Sequence, residues 1–238
     1  MEILRTKIRN GQIKHILFDL DGTLYSSKSG IEFQIPSMMV KHTANVLSIE
    51  KEEAKVLLRK YREEFKSSVL GLEKFHGVNP TEFYKLVYDD IDISPIEKYD
   101  GLQHHLEQLS KVVKLHLLTN SNSTHASRVL KILEVEQYFE SVFSVEFANF
   151  IRKPNPQAYE IAIRNMNATP SEIINIDDSF LNLKVANEIG LHTILVSNGI
   201  AEAPMFWEMH KKVFHEAPNY VNGSFQKIND AIEELCKK

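Results

Sequence analysis

Short apolar runs recur along the chain, and each is bounded by polar residues or glycine. They lie at about 15–18, 112–118, 142–145, 173–176 and 193–196. Such runs are too short for helices and are typical of buried strands. From about residue 101 onward, the segments between them carry apolar residues at the three- and four-residue spacing of an amphipathic helix. The alternation predicts an α/β fold, a Rossmann-like parallel sheet with helices on both faces.

Between the first two of these runs the pattern is helical, without a second good strand. The clearest helix covers about 51–66, with one apolar stripe formed by Ala54, Leu57, Leu58, Tyr61 and Phe65. Two further helix starts are predicted at Pro36 and at Asn79-Pro80, because proline is favoured in the first helical turn.

These patterns predict two domains. Residues 26–99 are expected to form an inserted helical cap domain, and residues 1–25 and 100–238 the Rossmann-like core. Residues 1–14 carry Lys and Arg with scattered apolar residues, and we expect only a short lead-in to the first strand there.

Composition excludes several classes of partner. The chain has 238 residues and a formal net charge of −4, with a pI near 6.2, so there is no electrostatic reason to expect nucleic acid or an anionic membrane as partner. Cys236 is the only cysteine, which excludes an internal disulfide and fits a reducing cytoplasm. No run approaches about 18 apolar residues. We therefore expect a soluble, cytoplasmic protein that binds no membrane.

Two carboxylates, Asp19 and Asp21, follow the first strand directly. Both can reach a common pocket at the strand's end, where they repel each other unless a cation or a shared proton offsets the charge. Mg²⁺ suits a site of oxygen ligands that keeps positions open for water and phosphate. A turn is the alternative, with Gly22 at positive φ. An EF-hand is disfavoured because its twelfth position from Asp19 is Gly30, where a Glu is needed.

Further polar clusters follow the later strands. They are Thr119-Asn120, Lys153 in the connection after the third strand, and Asp177-Asp178. Each has a simpler interpretation as a helix cap or a surface loop. However, ligands of open parallel sheets bind beyond the carboxyl ends of the strands, and all these clusters lie at that edge. Their ordered recurrence favours one shared site.

The four clusters resemble the four motifs of the haloacid dehalogenase superfamily, in order. The matching text is Asp-Leu-Asp-Gly-Thr, Leu-Leu-Thr-Asn, Arg-Lys-Pro-Asn-Pro and Ile-Asp-Asp-Ser with Asn182. Members mostly transfer phosphoryl groups through an aspartyl-phosphate. The resemblance covers about 15–25 and 100–200. Many phosphatases of the superfamily have Asp where this chain has Asn182, which puts one contact around the metal in question.

The resemblance implies a role for each matching residue. Asp19 is expected to be the nucleophile and Asp21 the general acid and base. Mg²⁺ is expected to be held by Asp19, the main-chain carbonyl of Asp21 and Asp178, with Asp177 as a further candidate. Thr119, Asn120 and Lys153 are expected to bind the substrate phosphate.

Within the superfamily the chain resembles the pyrimidine 5′-nucleotidase branch. The shared text is Asp-Leu-Asp-Gly-Thr-Leu-Tyr, Gly30-Ile31, Phe75-His76 and, after Thr119-Asn120, His125-Ala126 with Arg128-Val129-Leu130. The resemblance implies a nucleoside monophosphate as substrate. Leu70 departs from the branch, which commonly has a basic residue there, so specificity could have drifted.

Three alternatives stay open at this stage. A phosphatase of sugar phosphates or phosphoglycolate would keep every core residue. A catalytically silent binding module would be expected to lose a charged residue of the set, and none is lost. A haloacid dehalogenase needs no magnesium and lacks the second Asp, so Asp21 counts against it. The oligomeric state is expected to be a monomer or a homodimer.

Overall fold

A parallel sheet forms the centre of the structure, a computed structural model that describes residues 1–197 and 219–237. Its strands are β1 His15–Phe18, β2 Lys114–Leu118, β3 Phe139–Phe143, β4 Ile173–Asp177, β5 His192–Val196 and β6 Gly223–Phe225. Their order is β3-β2-β1-β4-β5-β6, and all neighbours run parallel. The predicted Rossmann-like α/β fold is confirmed. The predicted core at 198–218 and at Lys238 lies outside the described residues.

Helices cover both faces of this sheet. They are α1 Glu2–Arg9, α6 Leu102–Ser110, α7 Ser123–Leu133, α8 Pro156–Asn165, α9 Phe180–Glu188 and α10 Ile228–Cys236. Successive side chains of β1 point to opposite faces, as in any strand. Ile16 and Phe18 therefore pack into one apolar cluster and Leu17 into another. Burial on both faces explains why this strand is a continuous apolar run.

The segment between β1 and α6 is helical, as the sequence predicts. It contains α2 Ile31–Leu47, α3 Lys51–Phe65, α4 Ser68–His76 and α5 Pro80–Asp89. The Asn79 side chain accepts a hydrogen bond from the Glu82 amide at the start of α5, and Pro80 takes the first helical position, as predicted. In the part of the chain that the structure describes, no helix is both long and apolar enough to cross a membrane.

Three predictions about local structure were wrong. Pro36 lies inside α2, which starts five residues earlier after Gly30 at φ 73°. Residues 1–14 contain helix α1, because Leu4 and Ile8 are one turn apart and both buried. The third strand starts earlier than predicted, since β3 is an edge strand whose residues alternate between half-buried and exposed.

A buried histidine pair joins β1 and β2. His15 Nδ1 lies 3.1 Å from His116 Nε2, and the side-chain nitrogen Nδ1 of His116 is buried without a partner among the residues described. The pKa of His116 is lowered to about 4, mainly by burial and to a smaller extent by the neighbouring His15. Burial and Lys114 also lower the pKa of His15. The pair is therefore stable only in its neutral form.

We expect this pair to make the fold sensitive to acid. A folded-state pKa below the unfolded value of about 6.5 means that the unfolded chain binds more protons between about pH 6.5 and 4, so stability falls as pH falls through this window. His116→Gln keeps an acceptor for His15 but cannot titrate. The free energy of unfolding should be measured with urea at pH 7 and at pH 5. Its decrease from pH 7 to pH 5 should be smaller in the variant than in the parent by on the order of 1–2 kcal/mol.

The matched control is His104→Gln, because His104 is exposed on α6. It should keep the parental pH dependence. If the free energy of unfolding decreased equally in His116→Gln and in the parent, the histidine pair would not be the cause of the acid sensitivity.

Candidate active site

The carboxyl ends of β1, β2 and β4 open onto a cavity of about 870 Å³. The strand order reverses around β1, and such a reversal is where open α/β sheets bind their ligands. Core residues on the cavity wall include Asp19, Asp21 and Asp178, while Glu32 and Tyr88 come from α2 and α5. The structure therefore brings the predicted acidic residues together under the helical segment.

Lys153 joins two of the aspartates. Its Nζ lies 2.7 Å from Asp19 Oδ1 and 2.7 Å from Asp177 Oδ2, and all three side chains are buried. Burial alone would lower the pKa of Lys153, but the charges of Asp177 and Asp19 outweigh this and raise it. Lys153 is therefore a permanent cation between the end of β1 and the end of β4.

Two asparagines hold this lysine and its partner. The Asn120 side chain accepts a hydrogen bond from the Lys153 amide at 2.8 Å and donates one to the Lys153 carbonyl at 3.0 Å. The Asn182 amide donates to Asp177 at 2.9 and 3.1 Å. Asn182 therefore orients Asp177, while Asn120 uses its amide to fix the loop of Lys153.

Asp21 is held by three donors. Tyr25 Oη and Ser121 Oγ each donate to its carboxylate at 2.5 Å, and His125 Nε2 lies 3.0 Å from Oδ1. Burial alone would raise the pKa of Asp21, but the hydrogen bonds from His125, Ser121 and Tyr25 outweigh it and lower the pKa. The carboxylate is thus fixed in its charged form in the free protein.

Asp178 and Glu32 both approach Gly22 closely. A Cβ on Gly22 would lie 2.3 Å from Asp178 Oδ2 and 2.7 Å from Glu32 Oε1. Gly22 also has φ 81°, so its lack of a side chain is needed for both reasons. The pKa of Glu32 is raised to about 7, mainly by burial and to a smaller extent by the charges of Asp21 and Asp19.

The oxygen atoms present fit a divalent cation. Asp19, Asp177 and Asp178 each offer one carboxylate oxygen, and these atoms lie within 4.8 Å of one another. Burial raises the pKa of Asp19 to about 7 although Lys153 lowers it. The pKa of Asp178 is also raised, mainly by burial and to a smaller extent by the charge of Asp19. A hard cation would offset this repulsion, and an all-oxygen donor set is what Mg²⁺ prefers.

The remaining predicted residue, Thr119, follows β2 and is almost fully buried. Its Oγ1 accepts a hydrogen bond from the Ser121 amide at 3.0 Å, which leaves the hydroxyl proton available for another acceptor. All seven predicted site residues therefore lie at the same edge of the sheet.

Further cationic side chains line the cavity. They are Arg62 and Lys66 at the end of α3, and Arg152 next to Lys153. Arg152 Nε is buried and has no hydrogen-bond partner within the described ranges. Leu70, which stands where the resembled branch commonly has a basic residue, is not one of the cavity-lining residues in the described part of the chain. The positive charge of the cavity comes from other positions.

Sequence reasoning assigned no role to Glu32, Ser121, His125 or Arg152. Ser121 follows Thr119-Asn120 directly, and Arg152 precedes Lys153, so their adjacency to motifs was a usable signal. His125 was noted only as part of a family resemblance. Glu32 lies eleven residues beyond Asp21 in a helix, and no local pattern places it at the site.

A model of the haloacid dehalogenase-like hydrolase family matches residues 13–190. The match includes β1 to β4 and every residue of the predicted site. It therefore extends over most of the chain.

Curated relatives carry names from phosphate chemistry. "Phosphate metabolism protein 8" of Saccharomyces cerevisiae is 27% identical over 76% of this chain, which spans only 61% of that protein. "Glyceraldehyde 3-phosphate phosphatase" of Methanocaldococcus jannaschii is 24% identical over 94% of this chain and 99% of that protein.

A solved structure shares the fold. The crystal structure of the "HAD phosphatase from Thermococcus onnurineus" superimposes with a TM-score of 0.58 at 19% sequence identity, covering 94% of this chain and 98% of the other. This chain therefore shares the fold of a solved protein of similar length.

Proposed function

The chain belongs to the haloacid dehalogenase-like hydrolase family, and we propose that it is a magnesium-dependent phosphatase that hydrolyses phosphomonoesters through an aspartyl-phosphate. The observation that carries this proposal is the pairing of Asp19 with Lys153 on the cavity wall beside Asp178, whose carboxylate has no side-chain hydrogen bond among the described residues. That arrangement offers a nucleophile, a phosphate-binding cation and a metal ligand within one site.

In the first step, an Asp19 carboxylate oxygen attacks phosphorus and the bond from phosphorus to the ester oxygen breaks. Lys153 and the Thr119 hydroxyl bind the phosphoryl oxygens and stabilise their charge. Asn120 supports this step by fixing the Lys153 backbone. Mg²⁺, when held by Asp19, the Asp21 carbonyl and Asp178, would supply positive charge that lowers the repulsion between nucleophile and phosphate.

Asp21 is proposed as the acid and then the base. It gives a proton to the departing alkoxide, later takes a proton from water, and that water attacks phosphorus to release phosphate and regenerate the Asp19 carboxylate. The donors Tyr25, Ser121 and His125 favour the charged base form in the free protein. An incoming anionic phosphate favours the protonated form, since like charge disfavours the carboxylate.

Asp177 is better suited to orient Lys153 than to bind the metal. Its two oxygens accept hydrogen bonds from Lys153, Asn182 and the Ser179 amide. We propose it as an indirect support of the metal centre, with Asp178 as the direct ligand. Asp178 has no hydrogen bond to a side chain in the ranges the structure describes.

We further propose that residues 26–99 act as the cap and that the substrate is a pyrimidine nucleoside monophosphate. The cavity volume of about 870 Å³ is ample for a nucleotide. Arg152 Nε, buried and without a partner among the described residues, can donate to a base carbonyl oxygen. Glyceraldehyde 3-phosphate phosphatase, a relative by sequence, supports a sugar phosphate as the second candidate.

The specificity prediction is a preference of about tenfold to a hundredfold in kcat/KM for UMP or CMP over AMP. Apolar shape alone discriminates by roughly 1–3 kcal/mol, whereas a polar group left unpaired in the wrong complex discriminates more. Phosphate release should be measured across nucleoside monophosphates, sugar phosphates and phosphoglycolate. A sugar phosphate that is turned over far better than UMP and CMP would reject the nucleotidase, but not the phosphatase.

Arg152→Met tests the origin of this preference. It should lower kcat/KM for UMP and CMP while p-nitrophenyl phosphate is hydrolysed as before. Arg164→Met is the matched control, because Arg164 is exposed on α8 away from the cavity lining. An undiminished pyrimidine preference in Arg152→Met would assign base recognition to other cavity residues.

A further inference from the structure

Glu32 carries a carboxylate from the first cap helix into the core site. It lies in the first turn of α2, two residues after the left-handed Gly30, and it lines the same cavity as Asp19 and Asp178. The residue therefore comes from a different element than any of the predicted ligands, and neither the motifs nor the family resemblance assigns it a role.

The contact with Gly22 fixes how near Glu32 is to the metal ligands. The position of a Cβ on Gly22 is 2.3 Å from Asp178 Oδ2 and 2.7 Å from Glu32 Oε1, so these oxygens are at most about 5 Å apart. Two carboxylates at this separation repel each other strongly in a buried site. A cation with the water molecules that it orients, or a proton shared between the two groups, makes this approach favourable.

The Oε1 oxygen of Glu32 lacks the partner that its burial requires. Glu32 Oε1 is buried and accepts no hydrogen bond from any described residue. Leaving a buried acceptor unpaired costs about 1–3 kcal/mol, and more if it is charged. Lys153 Nζ donates to Asp19 and Asp177 and not to this oxygen.

We propose that Glu32 is a positioning residue of the magnesium centre, which accepts hydrogen bonds from the hydration water of Mg²⁺. It does not belong to the group of carboxylates that lie within 4.8 Å of one another, which comprises Asp19, Asp177 and Asp178. Glu32 therefore acts on the metal indirectly, through a water molecule. Mg²⁺ keeps several of its waters in protein sites, so acceptors for them are needed.

This placement makes metal binding and the position of α2 interdependent. Mg²⁺ with its water would bridge the core aspartates and the first helix of the cap, so binding of the metal stabilises the docked position of that helix. The inference rests on the proposed magnesium site, but the test below measures metal binding without any substrate.

The test compares the parent with Glu32→Gln, which keeps the shape of the side chain and removes its charge. Calorimetric titration with MgCl₂ should give an affinity about tenfold weaker in the variant, the usual loss when an outer-sphere partner of a metal ligand is removed. The control is Glu52→Gln, which makes the same change of charge at an exposed position of α3 and should bind Mg²⁺ as the parent does.

Thermal unfolding supplies a readout that a purely structural role would not give. In chelator, Glu32→Gln should unfold at the same or a higher temperature than the parent, because one of several crowded carboxylates is gone. With saturating Mg²⁺, the rise in melting temperature should be smaller in the variant. A parental Mg²⁺ affinity, or a lower melting temperature in chelator, would overturn the proposal.

The outcomes separate this inference from the proposed function. Weaker Mg²⁺ binding in Glu32→Gln with no phosphate release by the parent from any monoester would retain the positioning role and reject the phosphatase. Phosphate release by the parent with unchanged Mg²⁺ binding in Glu32→Gln would retain the phosphatase and reject the positioning role of Glu32.

Discussion

Replacing Asp19 with Asn should lower turnover of every phosphomonoester substrate by at least about a thousandfold, because a covalent catalyst has no second nucleophile within reach. The amide keeps the size of the side chain but lacks the charge that attacks phosphorus. In this structure it also loses the ion pair to Lys153, which would then face Asp177 alone. Steady-state phosphate release at saturating Mg²⁺ is the measurement.

Asp230→Asn is the matched control, since Asp230 is exposed in the first turn of α10. It should retain parental turnover. Circular dichroism should show that Asp19→Asn is folded, so that lost activity is not lost structure. Turnover of Asp19→Asn within tenfold of the parent would require another nucleophile.

The sheet could be predicted from sequence because its buried strands are continuous apolar runs in the sequence. β1, β2, β4 and β5 are buried along most of their length, so their apolar runs mark their positions to within one or two residues. β3 was misplaced and β6 was not found. β3 lies at one edge and β6 at the other, and both are partly exposed. An edge strand need not be apolar, so its pattern is weak.

The site was predictable to the extent that its residues follow strands. Asp19, Thr119 and Asp178 lie just beyond strand ends, where parallel topology brings side chains together whatever the tertiary detail. Glu32 could not be found in this way. Its position depends on where α2 begins, and that start was assigned to Pro36 rather than to Ile31. A five-residue error in a helix start conceals which face is directed to the core.

The partners of Asp21 show a second limit. Ser121 and His125 are 100 and 104 residues away from it in the chain. Ser121 precedes the Asn122 cap of α7 and His125 lies in the first turn of that helix, where polar residues are expected as caps in any case. The position of Ser121 directly after Thr119-Asn120 indicates that it belongs to the site, but no local pattern connects Ser121 or His125 with the Asp21 carboxylate. Only the parallel pairing of β1 with β2 places them beside it.

Asp21→Asn should separate the two chemical steps. With alkyl phosphates we expect turnover to fall by roughly 10²–10⁴-fold, because the departing alkoxide has no proton donor. With p-nitrophenyl phosphate the leaving group needs no proton, so transfer to Asp19 can proceed. Hydrolysis of the aspartyl-phosphate should then stall, because water has lost its base. Rapid-mixing absorbance should show one p-nitrophenolate per enzyme, followed by slow turnover.

The trapped phosphoryl group gives the decisive measurement. Intact-mass spectrometry of the acid-quenched variant should show one added phosphoryl group, and peptide mapping should place it on Asp19. The double variant Asp19→Asn, Asp21→Asn should give neither the burst nor the adduct. Ser121→Ala and Tyr25→Phe each leave Asp21 two of its three donors, so they should slow both steps less than Asp21→Asn and accumulate no adduct. Parental turnover of alkyl phosphates by Asp21→Asn, or slow turnover without an adduct, would exclude Asp21 as the shared acid and base.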